Sequence, residues 1–146
     1  MKKLSSLELQ EATISIAPFC KVYAADRDYA LPTLGWLLKT FYPWFQGEMF
    51  RIVANKWAKR FDCDNFAQFF AAWAAVSHWG ASQTDRPEGL AVGECWYKQD
   101  SVGGHAINIA VTEEDGEQVV AFIEPQNGKR LKLSQMELYS IWLVKF

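Results

Sequence analysis

Residues 62–80, DCDNFAQFFAAWAAVSHWG, constrain the fold of this chain most. Phe66, Phe69, Phe70, Trp73 and Val76 recur at helical spacing, and most positions between them are alanine. A helix that is apolar on nearly every side is normally a buried one, so the pattern predicts a central helix that the rest of a domain must enclose. At 146 residues the chain is long enough to close one hydrophobic core around it, and a single domain over residues 1–146 is expected. The longest purely apolar run, residues 69–76, falls well short of the roughly 20 residues of a membrane-spanning helix. No membrane partner is read.

Before the central helix, Ser5-Ser6-Leu7-Glu8 has the form of a capping box that starts a short helix, although Thr13, Ile14 and Ile16 favour extended chain beyond it. Residues 32–45 read as an aromatic helix opened by Pro32 and ended near Pro43. Residues 50–61 read as an amphipathic helix with Phe50, Val53, Ala54, Trp57 and Phe61 on its apolar face. After Gly80 and a polar loop around Pro87 the pattern changes. Residues 91–97, 105–112, 118–123 and 141–146 are β-branched and aromatic strand candidates, with turns at 103–104, 113–116 and 126–128. Helices followed by strands predict an α+β domain in which N-terminal helices pack on a C-terminal antiparallel sheet.

Fifteen Lys and Arg against 17 Asp and Glu give a net charge of −2, which lacks the positive field of a nucleic-acid binder. Glu8 and Glu11 interrupt what would have to be an apolar signal-peptide core, so a cytoplasmic chain is expected. Three cysteines without C-x-x-C spacing predict free thiols, with Cys20 and Cys95 as packing residues. Asp62, Asp64 and His105 lack the fourth ligand and the spacing of a metal site, and neither metal nor cofactor is implied. His78 falls in the last turn of the central helix, where a cation is favourable. Thirteen of the 22 aromatics lie between Trp36 and Trp79 and read as core, with any exposed members of Trp36, Phe41, Tyr42, Trp44 and Phe45 available to line a cleft.

Three residues stand out for chemistry. Cys63 lies at the start of the central helix, where unpaired N–H groups and a partial positive charge suit a sulfur nucleophile and an oxyanion. Its neighbours Asp62 and Asp64 oppose that charge, unless one of them caps the helix. His105 begins a strand after a glycine pair, and Glu124 ends the next strand candidate. If those strands form a hairpin, the two fall at one end of the sheet, which is what a base and its orienting carboxylate need.

The order thiol, histidine, acid is that of papain-like and transglutaminase-like cysteine hydrolases. Residues 104–108 (GHAIN) with 122–128 (FIEPQNG) resemble the GHA-x-N and I-D-P-Q-x-G pattern of papain-fold glutamine deamidase toxins. Residues 62–67 (DCDNFA) are similar to the D-C-x-D-[FY]-A motif of bacterial transglutaminase-like cysteine peptidases. The resemblance covers residues 62–128. It implies a papain-like fold, with Cys63 as nucleophile, His105 as general base, Glu124 orienting the imidazole and Gln126 near the site. The acid is Glu where the toxin pattern has Asp, and the papain oxyanion glutamine has no counterpart before Cys63. The backbone N–H of Cys63 would then act with Asn55, Trp57 or Gln126 as second donor.

Two functions follow. One is a cysteine-dependent amide hydrolase or acyltransferase working through a thioester on a protein or peptide; the likeness to toxins implies a bacterial or phage protein, delivered as an effector. A peptidoglycan substrate ranks lower, because the D-C-S-G start of such hydrolases is absent. The other is a binding module for a protein or glycan, with a vestigial triad.

Overall fold

The computed structural model describes residues 2–53, 58–59, 61–81, 88–99 and 103–146. Strand β1 (Lys3–Ser5) leads into α1 (Ser6–Ile14), whose first turn is closed by the reciprocal capping of Ser5 and Glu8. The helix continues through Thr13 and Ile14 rather than turning extended, since the Thr13 hydroxyl bonds the Leu9 carbonyl at 2.8 Å in a fully buried contact. Strands β2 (Lys21–Tyr23) and β3 (Asp28–Ala30) follow, so the N-terminal third contributes three strands that the residue pattern did not announce.

Helix α2 (Leu34–Trp36), capped by Thr33, passes through a π-helical turn (Leu37–Phe41) into α3 (Tyr42–Val53). Pro43 therefore does not end the helix. The wider turn lets the Tyr42 N–H bond the Leu37 carbonyl five residues back, just ahead of the missing proline N–H. The phase of α3 is set by buried Tyr42, Phe45 and Met49, which leaves Phe50 exposed where an apolar face was expected. The expected helix does not reach Phe61: Ala58 and Phe61 exchange backbone hydrogen bonds at 2.9 Å, while residues 54–57 and 60 lie outside the described residues.

Helix α4 (Cys63–Ala81) is the central helix, but it is buried on one face only. Phe66, Ala67, Phe70 and Ala74 are fully buried, whereas Val76 and Trp79 are exposed. Its many alanines present little apolar area on the outer side, which makes the exposure tolerable.

Strands β4 (Gly89–Leu90), β5 (Val92–Gln99), β6 (Gly103–Glu114), β7 (Glu117–Glu124), β8 (Lys129–Leu131), helix α5 (Gln135–Ser140) and β9 (Leu143–Lys145) complete the chain. The main sheet runs β2-β9-β5-β6-β7-β8, antiparallel except for β2 beside β9; β1, β3 and β4 form a smaller sheet. The β6–β7 hairpin turns on Asp115-Gly116, both at positive φ, as two-residue hairpins require. Strand β6 is buried on both faces, which is why it reads as a nearly continuous apolar run. Ala110 and Ile123 meet the α3 and α4 aromatics, while Ile107, Ile109 and Phe122 meet Tyr97, Ile141 and Val144. No described helix is long and apolar enough to cross a membrane.

Candidate active site

The register of the sheet fixes how α4 lies on it. Asn108 on β6 donates from Nδ2 to the carbonyls of Ala67 on α4 and Gly93 on β5, both at 2.9 Å. Further along α4, Ala75 borders the same groove as Leu90 and Val92, and Val92 pairs with Ala110. Helix and strand thus run in the same direction, with Cys63 opening α4 and His105 two residues inside the start of β6. From the Asn108–Ala67 link, Cys63 is about 6 Å back along the helix axis and His105 about 10 Å back along the strand.

At that end His105 Nε2 is 2.9 Å from Glu124 Oε2, and both side chains are largely buried, at 19% and 14% exposure. The pairing of β6 with β7 stops at Asn108–Ile123, so β7 has already begun to turn away beside His105. Tyr97, its cross-strand neighbour on β5, meets the imidazole edge-on with ring centroids 5.9 Å apart. A carboxylate only accepts, so Nε2 is the ring nitrogen that donates to Glu124.

Glu124 is held in turn. The Gln126 N–H donates to Glu124 Oε1 at 3.3 Å, and the Gly128 N–H donates to the Glu124 carbonyl at 2.8 Å. Gly128 has φ +69°, and a Cβ there would come within 2.3 Å of the Tyr42 ring, so the turn and the ring fit only with glycine. Burial, and then the charge of Glu124, push the Tyr42 phenol up to about 12. Tyr42 is the neighbour that residue patterns did not single out; its only sequence signal was membership of the aromatic run.

Cys63 is half-buried and a free thiol. Asp62 precedes it as the helix cap: its carbonyl accepts from the Phe66 N–H at 3.1 Å, and its own N–H donates to Asn65 Oδ1 at 3.2 Å. The Asp62 carboxyl is raised from its ordinary value by a hydrogen bond shared with the Asp64 carboxyl, by burial and by the Asp64 charge. Asn55 and Trp57, expected as oxyanion donors, lie outside the described residues. The Gln126 backbone is committed to Glu124. Cys20 is half-buried and Cys95 fully buried, and burial pushes both thiols up. Among the described residues no cluster of His, Cys, Asp and Glu could hold a metal ion.

A buried helix edge, an antiparallel sheet and this end-of-sheet constellation define the α+β papain-like class. Residues 44–130 match the agglutinin C-terminal family, and the chain belongs to it. Two solved structures share the fold. PSL1a in complex with E64 is 24% identical with a TM-score of 0.76, over 99% of this chain and 51% of that one. The Polyporus squamosus lectin bound to a human-type influenza-binding epitope is 24% identical with a TM-score of 0.71, over 99% and 49%. The chain thus spans about half the length of these solved chains. No curated protein matches it.

Proposed function

We propose that this protein is a cysteine-dependent amide hydrolase or acyltransferase, with Cys63 as nucleophile, His105 as general base and Glu124 as the carboxylate that orients it. The hydrogen-bonded His105–Glu124 pair, together with a free thiol, Cys63, at the start of α4, carries the reading. Alternation along β6 gives His105 the side of Tyr97 and Asn108 the side of α4, so in this reading thiol and imidazole meet around the end of the sheet. Nδ1 takes the thiol proton, and the sulfur attacks an amide carbonyl while N–H groups of the first turn of α4 face the developing oxyanion. The amine leaves with the proton from His105, and water or a second amine resolves the thioester. A protein or peptide amide is the proposed substrate. The E64 complex of PSL1a supports a thiol site on this fold.

The second reading, a binding module, is favoured by the lectin name and the bound glycan of the other solved chain. Thiol alkylation followed by mass spectrometry separates the two. Cys63 should alkylate rapidly at neutral pH and slow by at least about tenfold in His105→Ala. Cys20 and Cys95 are poor references because burial already suppresses them, so wild type against His105→Ala is the informative comparison. Equal Cys63 rates in the two proteins would hand the lead to the binding module. Given an amide substrate, Cys63→Ala should lower turnover by about a thousandfold or more; a variant with full rate eliminates the assignment.

A further inference from the structure

The aromatic run ahead of α4 has no part in the proposed chemistry, yet it builds a second concave site. Trp36, Thr40, Phe41 and Trp44 line a groove of about 280 Å³, and Ser77 of α4 joins them. Ser77 is about 21 Å along the helix axis from Cys63, so the groove is remote from the thiol. Trp36 and Phe41 are five residues apart, a spacing that an α-helix turns to different sides. The π turn, whose hydrogen bonds join residues five apart, brings the two rings into a stack with centroids 5.5 Å apart. Phe41 is buried at the bottom, while Trp44 is 42% exposed and meets Trp73 edge-on, with ring centroids 5.1 Å apart. The Thr40 and Ser77 hydroxyls make no hydrogen bond among the described residues, and none of the described residues lining the groove is charged.

These surfaces select among ligands. An apolar occupant would bury two hydroxyls without partners. A quaternary ammonium would meet the ring faces, but it cannot use the hydroxyls, and no carboxylate among the described lining residues holds its charge. A neutral sugar ring uses both features: its C–H face lies against the negative face of an aromatic ring, and its hydroxyls donate to and accept from those of Thr40 and Ser77. We infer that this groove binds one neutral pyranose ring, stacked on the Trp44 indole and hydrogen-bonded by Thr40 and Ser77. Its volume is just under the roughly 300–1,000 Å³ of drug-sized pockets, which suits a single ring. The groove shares no residue with the proposed catalytic triad, so the inference stands independently of the acyl-transfer reading.

Saturation-transfer NMR and isothermal titration of the whole chain test it, with the methyl β-glycosides of glucose, galactose and N-acetylglucosamine, and with erythritol and tetramethylammonium for comparison. At least one glycoside should bind in the millimolar range, with saturation strongest on its ring C–H protons, and erythritol, an acyclic polyol, should bind at least about tenfold more weakly. Trp44→Ala should weaken that glycoside by about fivefold or more. Thr40→Val keeps the shape of an exposed side chain and removes only its hydroxyl, and should weaken it by about threefold or more. Trp142→Ala removes a comparably exposed indole elsewhere, beside Gly104, and should leave binding unchanged. Absence of saturation on all three glycosides overturns the inference, as does tighter binding of tetramethylammonium, which would make the groove a cation cage. Equal binding by wild type and both groove variants, or equal losses in Trp44→Ala and Trp142→Ala, would mean contact with exposed indoles in general and overturns it too.

Discussion

His105 and Asn108 stand three residues apart on one strand, and their surroundings use their polarity in opposite ways. Asn108 is fully buried and gives both donors to backbone carbonyls, locking α4 to β5. His105 sits past the last β6–β7 rung and holds one ring nitrogen to the Glu124 carboxylate. Burial in mid-strand makes the Asn108 amide donors a structural tie, whereas at the strand end His105 is tied to a side-chain carboxylate instead. The strands of one sheet thus supply both the rigid frame and the edge on which the proposed chemistry rests.

Removing the tie should have the largest effect on stability. Asn108→Leu removes both Nδ2 hydrogen bonds, to the Ala67 and Gly93 carbonyls, which should cost about 3 kcal/mol. For a domain of this size that is a fall in Tm of roughly 6–12 °C, readable by calorimetry. A near-neutral result would erase the distinction drawn between the two residues.

Gly128→Ala should come next, at about 2 kcal/mol, because alanine is strained at positive φ and its methyl meets the Tyr42 ring. It should also displace the Glu124 carboxylate and slow Cys63 alkylation, coupling the turn to the reactive edge. His105→Ala should shift stability by less than about 1 kcal/mol while slowing that alkylation, since its surroundings are only partly closed. A large loss of stability would make His105 a second Asn108 and blunt the comparison.

The smallest expected effect is a pH dependence at Glu94. Burial raises its carboxyl, Lys145 pulls it back, and Asp64 raises it again, for a net upward shift. The folded state therefore holds this proton more tightly than the unfolded state does. The stability contributed by Glu94 is fully present below the unfolded carboxyl value and is lost as pH rises through the folded one. The Tm of wild type relative to Glu94→Gln should accordingly fall over that acid range; a flat difference would contradict the direction of the shift.

How much of this was legible in the residues varies by element. The hairpin at Asp115-Gly116, the α4 repeat and the Ser5–Glu8 capping box were readable because turn chemistry, period and capping are local properties. Helix α5 carries the same kind of box, Ser134 with Glu137, but its short span lay between strand candidates and was passed over. Strands β1, β2 and β3 are short ladders whose partners lie far away in sequence, and β8 pairs locally with β7 but is only three residues long, so no local period marks them. Helix α3 took its phase from a helix that continues past Pro43, and the π turn that permits this has no residue signature.

The sequence by itself determined that helix α4 precedes strands β5, β6 and β7, the Cys63, His105 and Glu124 positions along them, and the turn that brings β6 and β7 together. Only the tertiary structure decided that one face of α4 is exposed, that His105 Nε2 meets Glu124, and that Tyr42 packs on Gly128. The first group follows from short-range stereochemistry and periodicity, which each segment carries with it. The second depends on which faces meet, and burial, charge and pairing at those faces come from residues tens of positions away.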